Sequence, residues 1–177
     1  MSTRSLIGVL DADDRTFHAR YCHNEGYPSH QVPKLGLALH WFHDGDTDRL
    51  TTELLGQDWS VIDPTVASAE YADLPNLGAE IRARVPRPSQ HIEPCNGVGL
   101  YYTDVDPAEE PLDGDLGEDP DLSYEWLYLF TSEQQLRVFS NQVSNHARRW
   151  APFGDFPVSE LATVTADEIT RRLHARR

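Results

Sequence analysis

A chain of 177 residues with 29 acids against 15 bases, net charge −14, is long enough for one core and too acidic for non-specific nucleic-acid binding. Its 39% hydrophobic content and four Trp exclude general disorder, and a domain of this length buries roughly 70% of its unfolded surface. No apolar run approaches the ~20 residues that cross a bilayer, and the run 6–10 after Arg4 is too short to read as a signal peptide, so a cytoplasmic protein without a signal peptide or membrane contact is expected.

Two β-patterned runs, 6–10 and 15–23, flank Asp11-Ala12-Asp13-Asp14 and predict a hairpin with aspartates at its bend. An even, unbulged turn about Ala12 and Asp13 sets Arg4 opposite Tyr21. Leu6, Gly8, Phe17 and Ala19 then share that face, with His23 at its end. Ser5, Ile7, Val9, Thr16, His18 and Arg20 take the other face. Gly26, Tyr27 and Pro28 end the second strand. A helix is predicted over 32–43, with Pro33 in its first turn and Leu35, Leu39 and Phe42 on one stripe. Gly36 weakens it by roughly 1 kcal/mol relative to Ala, and Gly45 stops it. A second short helix carries Leu50, Leu54 and Leu55 between a Thr47 or Asp46 cap and Gly56.

From 60 to 122 the patterning degrades, and eight of the twelve prolines fall there. One strand, 98–103, stands out. Nine acids and no base lie between Asp104 and Asp121, leaving −5 for the rest of the chain. The charge thus concentrates in one acidic, Pro-rich loop at about 104–121, not along an ordered surface as a nucleic-acid mimic requires. That loop reads as a solvated insertion, dispensable for folding, or as a docking arm for a basic partner.

Order returns in a hairpin of 124–130 with 135–140, across Thr131-Ser132-Glu133-Gln134. Its first run, with Tyr124, Trp126, Tyr128 and Phe130 alternating with Leu127 and Leu129, reads as a strand buried on both faces. Thr165 and Glu168 form a capping box for a C-terminal helix with Ile169 and Leu173 inward. Arg171, Arg172, Arg176 and Arg177 complement the negative end of its dipole. The chain is read as a single α+β domain, 1–177: a mostly antiparallel sheet built from the two hairpins, with two or three helices packed on it.

The chemistry concentrates at Tyr21-Cys22-His23-Asn24-Glu25-Gly26-Tyr27. Arg4, Tyr21, His23, Glu25 and Tyr27 bring a guanidinium, an imidazole and a carboxylate beside two tyrosines and a glycine turn, a set suited to a small anion or nucleotide. Glu25 would orient Arg4 or His23. The same residues also suit a structural clamp of Arg4 onto Glu25. His40 and His43, spaced i, i+3, and His23 lack the glutamates or H-E-x-x-H pattern of a metal centre, so neither metal nor cofactor is expected. Ser5 and Cys22 lie near histidines without a nucleophile elbow, and Gly97 and Gly99 make only a lone G-x-G. Two cysteines, Cys22 and Cys95, suit a reducing compartment.

Three stretches, MSTRSLIGV at 1–9, YCHNEGYP at 21–28 and YEWLYLF at 124–130, resemble a family of small uncharacterised proteins common in bacteriophages and prophage-bearing bacteria. That family opens M-x-T-R-S, continues Y-x-H-x-D-G-Y-P and later has E-Y-x-Y-L-F. The shared positions are Thr3, Arg4, Ser5, Tyr21, His23, Gly26, Tyr27 and Pro28. The chain departs at Glu25, where the family has Asp, and at Asn24, often Trp there. The resemblance implies a phage-accessory setting and transfers no mechanism. The expected function is a non-enzymatic accessory protein binding a host protein or a small anionic ligand through this corner. The alternative is a small hydrolase acting on a phosphorylated or nucleotide substrate, with His23 as general base and Arg4 holding negative charge.

Overall fold

In the computed structural model, which describes residues 3–65, 92–95, 97–103, 110–121, 123–144 and 147–175, the N-terminal hairpin pairs β1 (Ser5–Leu10) with β2 (Thr16–Cys22). Its turn is built by aspartates. Asp11 N–H donates to the Thr16 carbonyl at 2.9 Å, and the Asp13 carboxylate accepts from the N–H groups of Arg15 and Thr16, each at 2.9 Å. Asp14 supplies the positive φ of 58°. These contacts centre the turn on Asp13 and Asp14, one residue later than an even loop about Ala12 and Asp13. Leu6, not Arg4, therefore stands opposite Tyr21. The register moves by two, so the faces keep their sides: Leu6, Phe17 and Ala19 on one, Ile7 and Cys22 on the other.

The sheet is larger and more mixed than two hairpins. Among the described residues it has nine strands, adding β3 (Trp59–Ile62), β4 (Ile92–Cys95), β5 (Gly99–Tyr102), β6 (Leu112–Asp115), β7 (Trp126–Phe130), β8 (Gln135–Ser144) and β9 (Ala147–Pro157). They run in the order β4-β5-β3-β2-β1-β7-β8-β9, with β6 beside β2. The expected late hairpin is present, with Phe130 opposite Leu136. Among the described residues six of the eight strand pairs are antiparallel, as expected, but β1–β7 and β2–β3 are parallel, so the sheet built from two hairpins is corrected to a larger, mixed one. The class remains α+β. β7 is buried along its whole length, as its double-sided apolar pattern requires.

β6 lies inside the acidic stretch read as a loop. Two aspartates and a glycine are poor strand formers, but β6 pairs antiparallel with β2 from Thr16 to Ala19. Arg15 Nε to Asp115 at 2.8 Å and His18 Nδ1 to Asp113 at 2.6 Å tie the two strands from their side chains. The segment 66–91 and the start of the acidic stretch, 104–109, lie outside the described residues, as do Arg176 and Arg177.

One face of the sheet carries the helices. α1 (Pro28–Leu37) starts four residues before the predicted helix, because Pro28 takes the first-turn position and the His30 and Gln31 N–H groups reach the Tyr27 carbonyl. Pro33 is thus interior, where it lacks the N–H of a helical bond. The helix continues as a π-helical turn, Ala38–Phe42. α2 (Thr47–Leu55) follows the sequence reading: the Asp46 side chain accepts from Arg49 N–H at 3.0 Å, and Gly56 ends it. A 3-10 turn (Val158–Thr163) leads to α3 (Ala166–Ala175), where Glu168 N–H donates to Thr165 Oγ1 at 3.3 Å. Gly36 allows α1 to press on the 3-10 turn, since a Cβ there would meet the Leu161 carbonyl oxygen at 2.3 Å. Val32, Leu35, Leu50, Leu54, Leu161 and Ile169 are fully buried against Ile7, Trp59 and Tyr128. Each such side chain contributes roughly 1.5–3 kcal/mol of transfer free energy. The opposite face buries Leu6, Phe17, Leu127, Leu129, Phe139 and Trp150, and on this side the candidate site begins.

Candidate functional site

Alternation along β2 sends Cys22 to the helical face and Tyr21 to the other, where its ring lies 5.8 Å from that of Tyr124. His23 follows as the strand ends, with its N–H on the Trp59 carbonyl at 2.9 Å. Its Nδ1 is 2.6 Å from the Tyr21 hydroxyl. Tyr102, at the end of β5, places its ring edge-on to His23 at 6.5 Å. Tyr102, His23, Tyr21 and Tyr124 therefore form a row of four rings. Arg4 sits exposed just before β1, its carbonyl fixed by Glu125 N–H at 2.9 Å. Among the described residues its guanidinium has no acid partner.

The electrostatics follow from burial and from Arg4. Desolvation pushes the Tyr21 phenol up to about 12, against the opposing pull of the Arg4 charge. The His23 imidazole is held below its ordinary value, by burial first and by Arg4 second. Near neutral pH the corner thus presents a neutral imidazole, a neutral phenol and one guanidinium. A phenol held protonated donates to Nδ1 and leaves the imidazole hydrogen on Nε2.

Glu25 and Tyr27 belong elsewhere. Glu25, with φ 57°, meets Lys34 of α1 rather than Arg4 or His23. Lys34 also reaches Asp63 at 3.0 Å. The lysine's pKa is raised: desolvation works against it, and the two carboxylates outweigh desolvation. The clamp is real, but its cation is the chain's sole lysine. Tyr27 turns to the helical side, with its ring 5.5 Å from Trp126, and there Tyr128 Oη donates to the Gly26 carbonyl at 2.6 Å. Of the five expected site residues, Arg4, Tyr21 and His23 share one corner, and Glu25 and Tyr27 do not join it.

Other groups considered for chemistry have structural roles. Burial pushes the Cys22 thiol up to about 12, which removes it as a nucleophile near neutral pH. His40 Nε2 donates to the Val158 carbonyl at 2.8 Å. His43, almost fully buried, donates from Nδ1 to the Ala38 carbonyl at 2.9 Å and faces Glu53 through Nε2 at 3.1 Å. Among the described residues no three His, Cys, Asp or Glu side chains gather in a metal-holding arrangement.

Tyr102 and Tyr124 were not legible as site residues, because they approach Tyr21 and His23 from strands remote in sequence. Ser60 was missed as well. It lies at the irregularity between Trp59 and Val61 in β3, its carbonyl accepts Asn24 N–H at 3.0 Å, and its buried hydroxyl has no hydrogen-bond partner among the described residues. Beyond Tyr124 the same face opens into a cavity of about 140 Å³ floored by Phe17 and Trp150 and rimmed by Asp113, Asp119 and Asp121. Compared with protein-family models, curated proteins and solved structures, the chain finds no match.

Proposed function

We propose that this chain is a non-enzymatic binding protein, of phage-accessory type, that takes a small anionic ligand at the corner of Arg4, Tyr21 and His23. The observation that carries the reading is the exposed Arg4 guanidinium, without an acid partner among the described residues, whose charge acts on Tyr21 and His23 at the middle of the row of four rings. A guanidinium in that position keeps its fork of donors for a carboxylate or phosphate, while the tyrosine rings suit a flat apolar body. A host protein presenting an acidic side chain would use the same chemistry. The phage-accessory part of the proposal rests on the resemblance at 1–9, 21–28 and 124–130.

The hydrolase alternative draws support from the 2.6 Å contact that orients the His23 ring. A depressed pKa makes that imidazole the weaker base, which favours binding over proton abstraction. The test is an NMR titration with inorganic phosphate and with adenosine monophosphate. Saturable shifts at His23 and the Arg4 side chain, lost in Arg4→Gln with an unchanged melting temperature, are expected. Shifts scattered over other arginines, or surviving Arg4→Gln, would refute the site. Turnover of p-nitrophenyl phosphate that disappears in His23→Gln would replace binding with hydrolysis.

A further inference from the structure

Trp41 is 76% exposed, far above any other large hydrophobic side chain among the described residues. It is not a frayed residue. It lies within the π-helical turn, a rare element found frequently at functional sites. Both flanks are anchored: His40 by its 2.8 Å bond to Val158, His43 by Ala38 and Glu53. Asp44 with φ 54° and Gly45 with φ 78° then turn the chain sharply into α2. The same corner opens into a cavity of about 470 Å³, bounded by His40, Gly45, Glu133, Gln134, Pro157 and Val158. An indole held outward on a fixed turn, beside a concave surface, is the arrangement of an interface anchor.

Charge selects the occupant. Asp44, Asp46 and Asp48 are exposed in the seven residues of chain that follow Trp41, and Glu133, 71% exposed and 3.5 Å from Arg137, lines the cavity. Arg49 is the one exposed base in that run. A net charge of −14 adds long-range attraction for a cation and repulsion for anionic lipid or nucleic acid. A guanidinium or ammonium over the indole face gains cation–π attraction that the neighbouring carboxylates reinforce.

We propose that Trp41 and the cavity beside it form a docking surface for an arginine- or lysine-rich segment of a protein partner, independent of the Arg4 corner. The probe is a fluorescein-labelled nona-arginine peptide, followed by anisotropy at physiological ionic strength. Wild type is compared with Trp41→Ala, Trp41→Phe and a control in the other acidic cavity, Asp113→Asn with Asp119→Asn. Trp41→Ala should weaken binding roughly five- to thirtyfold, with Trp41→Phe intermediate and the control changed less than about twofold. Its exposure keeps the fold intact, which circular dichroism verifies. Equal losses in Trp41→Ala and the control would show diffuse charge attraction and overturn the proposal. So would unchanged binding in Trp41→Ala. Sedimentation equilibrium without peptide addresses a second copy, docked through its arginine-bearing α3: self-association abolished by Trp41→Ala would make that copy the occupant and overturn the proposal for a partner protein.

Discussion

Gly36→Ala should destabilise the protein, although helix propensity alone predicts the reverse. Placed in a helix interior, Ala is favoured over Gly by about 1 kcal/mol. Here the new Cβ would lie 2.3 Å from the Leu161 carbonyl oxygen and 2.6 Å from its carbon, both backbone atoms that no rotamer change removes. Reaching 3.0 Å requires α1 or the 3-10 turn to withdraw by about 0.7 Å, which loosens the fully buried Val32, Leu35 and Leu161. Such overpacking costs roughly 1–3 kcal/mol, so after the propensity gain the net loss is at most about 2 kcal/mol. For a chain of this size that lowers Tm by up to roughly 8 °C. Urea unfolding gives the free energy directly, and an unchanged slope would show that the denatured state is unaffected. A variant at least as stable as wild type would mean that α1 does not press on Leu161.

The ion pairing around Glu25 distinguishes two cations: Lys34→Met should cost about 1–3 kcal/mol by leaving Glu25 and Asp63 facing each other, whereas Arg4→Ala should stay within roughly 0.5 kcal/mol in the same melts. Because the folded-state pKa of Lys34 is raised, its contribution is full below 10.5 and fades as pH rises through the folded value; Lys34→Met should flatten that alkaline loss. For His23 the sign is opposite. Its folded value lies below 6.5, so the unfolded chain binds the proton more readily and stability falls as pH drops below 6.5, a slope that His23→Gln should reduce. Replacing 110–121 with a Gly/Ser linker should lower stability by more than about 1 kcal/mol, since it removes β6 and the backbone over Phe17; an unchanged melt would restore the reading of that stretch as a dispensable loop.

How much of this was legible depended on whether the information was local. The two faces of the first hairpin followed from alternation alone, and α2 and α3 from their caps, because those signals act within one turn of chain. The register was missed because the Asp13 carboxylate, not the count of loop residues, decides where the turn centres. β6 and β9 were illegible for a different reason. Leu112-Asp113-Gly114-Asp115 and a strand containing Pro152 and Gly154 are made into strands by their neighbours, against their own propensities. At the site, Arg4, Tyr21 and His23 could be grouped from the hairpin pattern. The true partner of Glu25 is Lys34, nine residues on in α1, a pairing set by where the helix starts and not by any local pattern. The parallel pairing of β1 with β7 left no local trace beyond the unbroken apolar run of β7.

That pairing also sets a timetable for the nascent chain. β1 receives β2 on one side almost at once, but its other edge waits for β7, more than a hundred residues later. At the pace of translation the interval is on the order of ten seconds. Throughout it the run Ser5-Leu6-Ile7-Gly8-Val9-Leu10 presents unpaired N–H and C=O groups along an uncharged strand, without the lysine, proline or bulge that usually blunts such an edge. Closing the sheet this late makes the protein a slow folder by topology. Its yield in a cell should then depend on whether a chaperone covers β1 until β7 arrives.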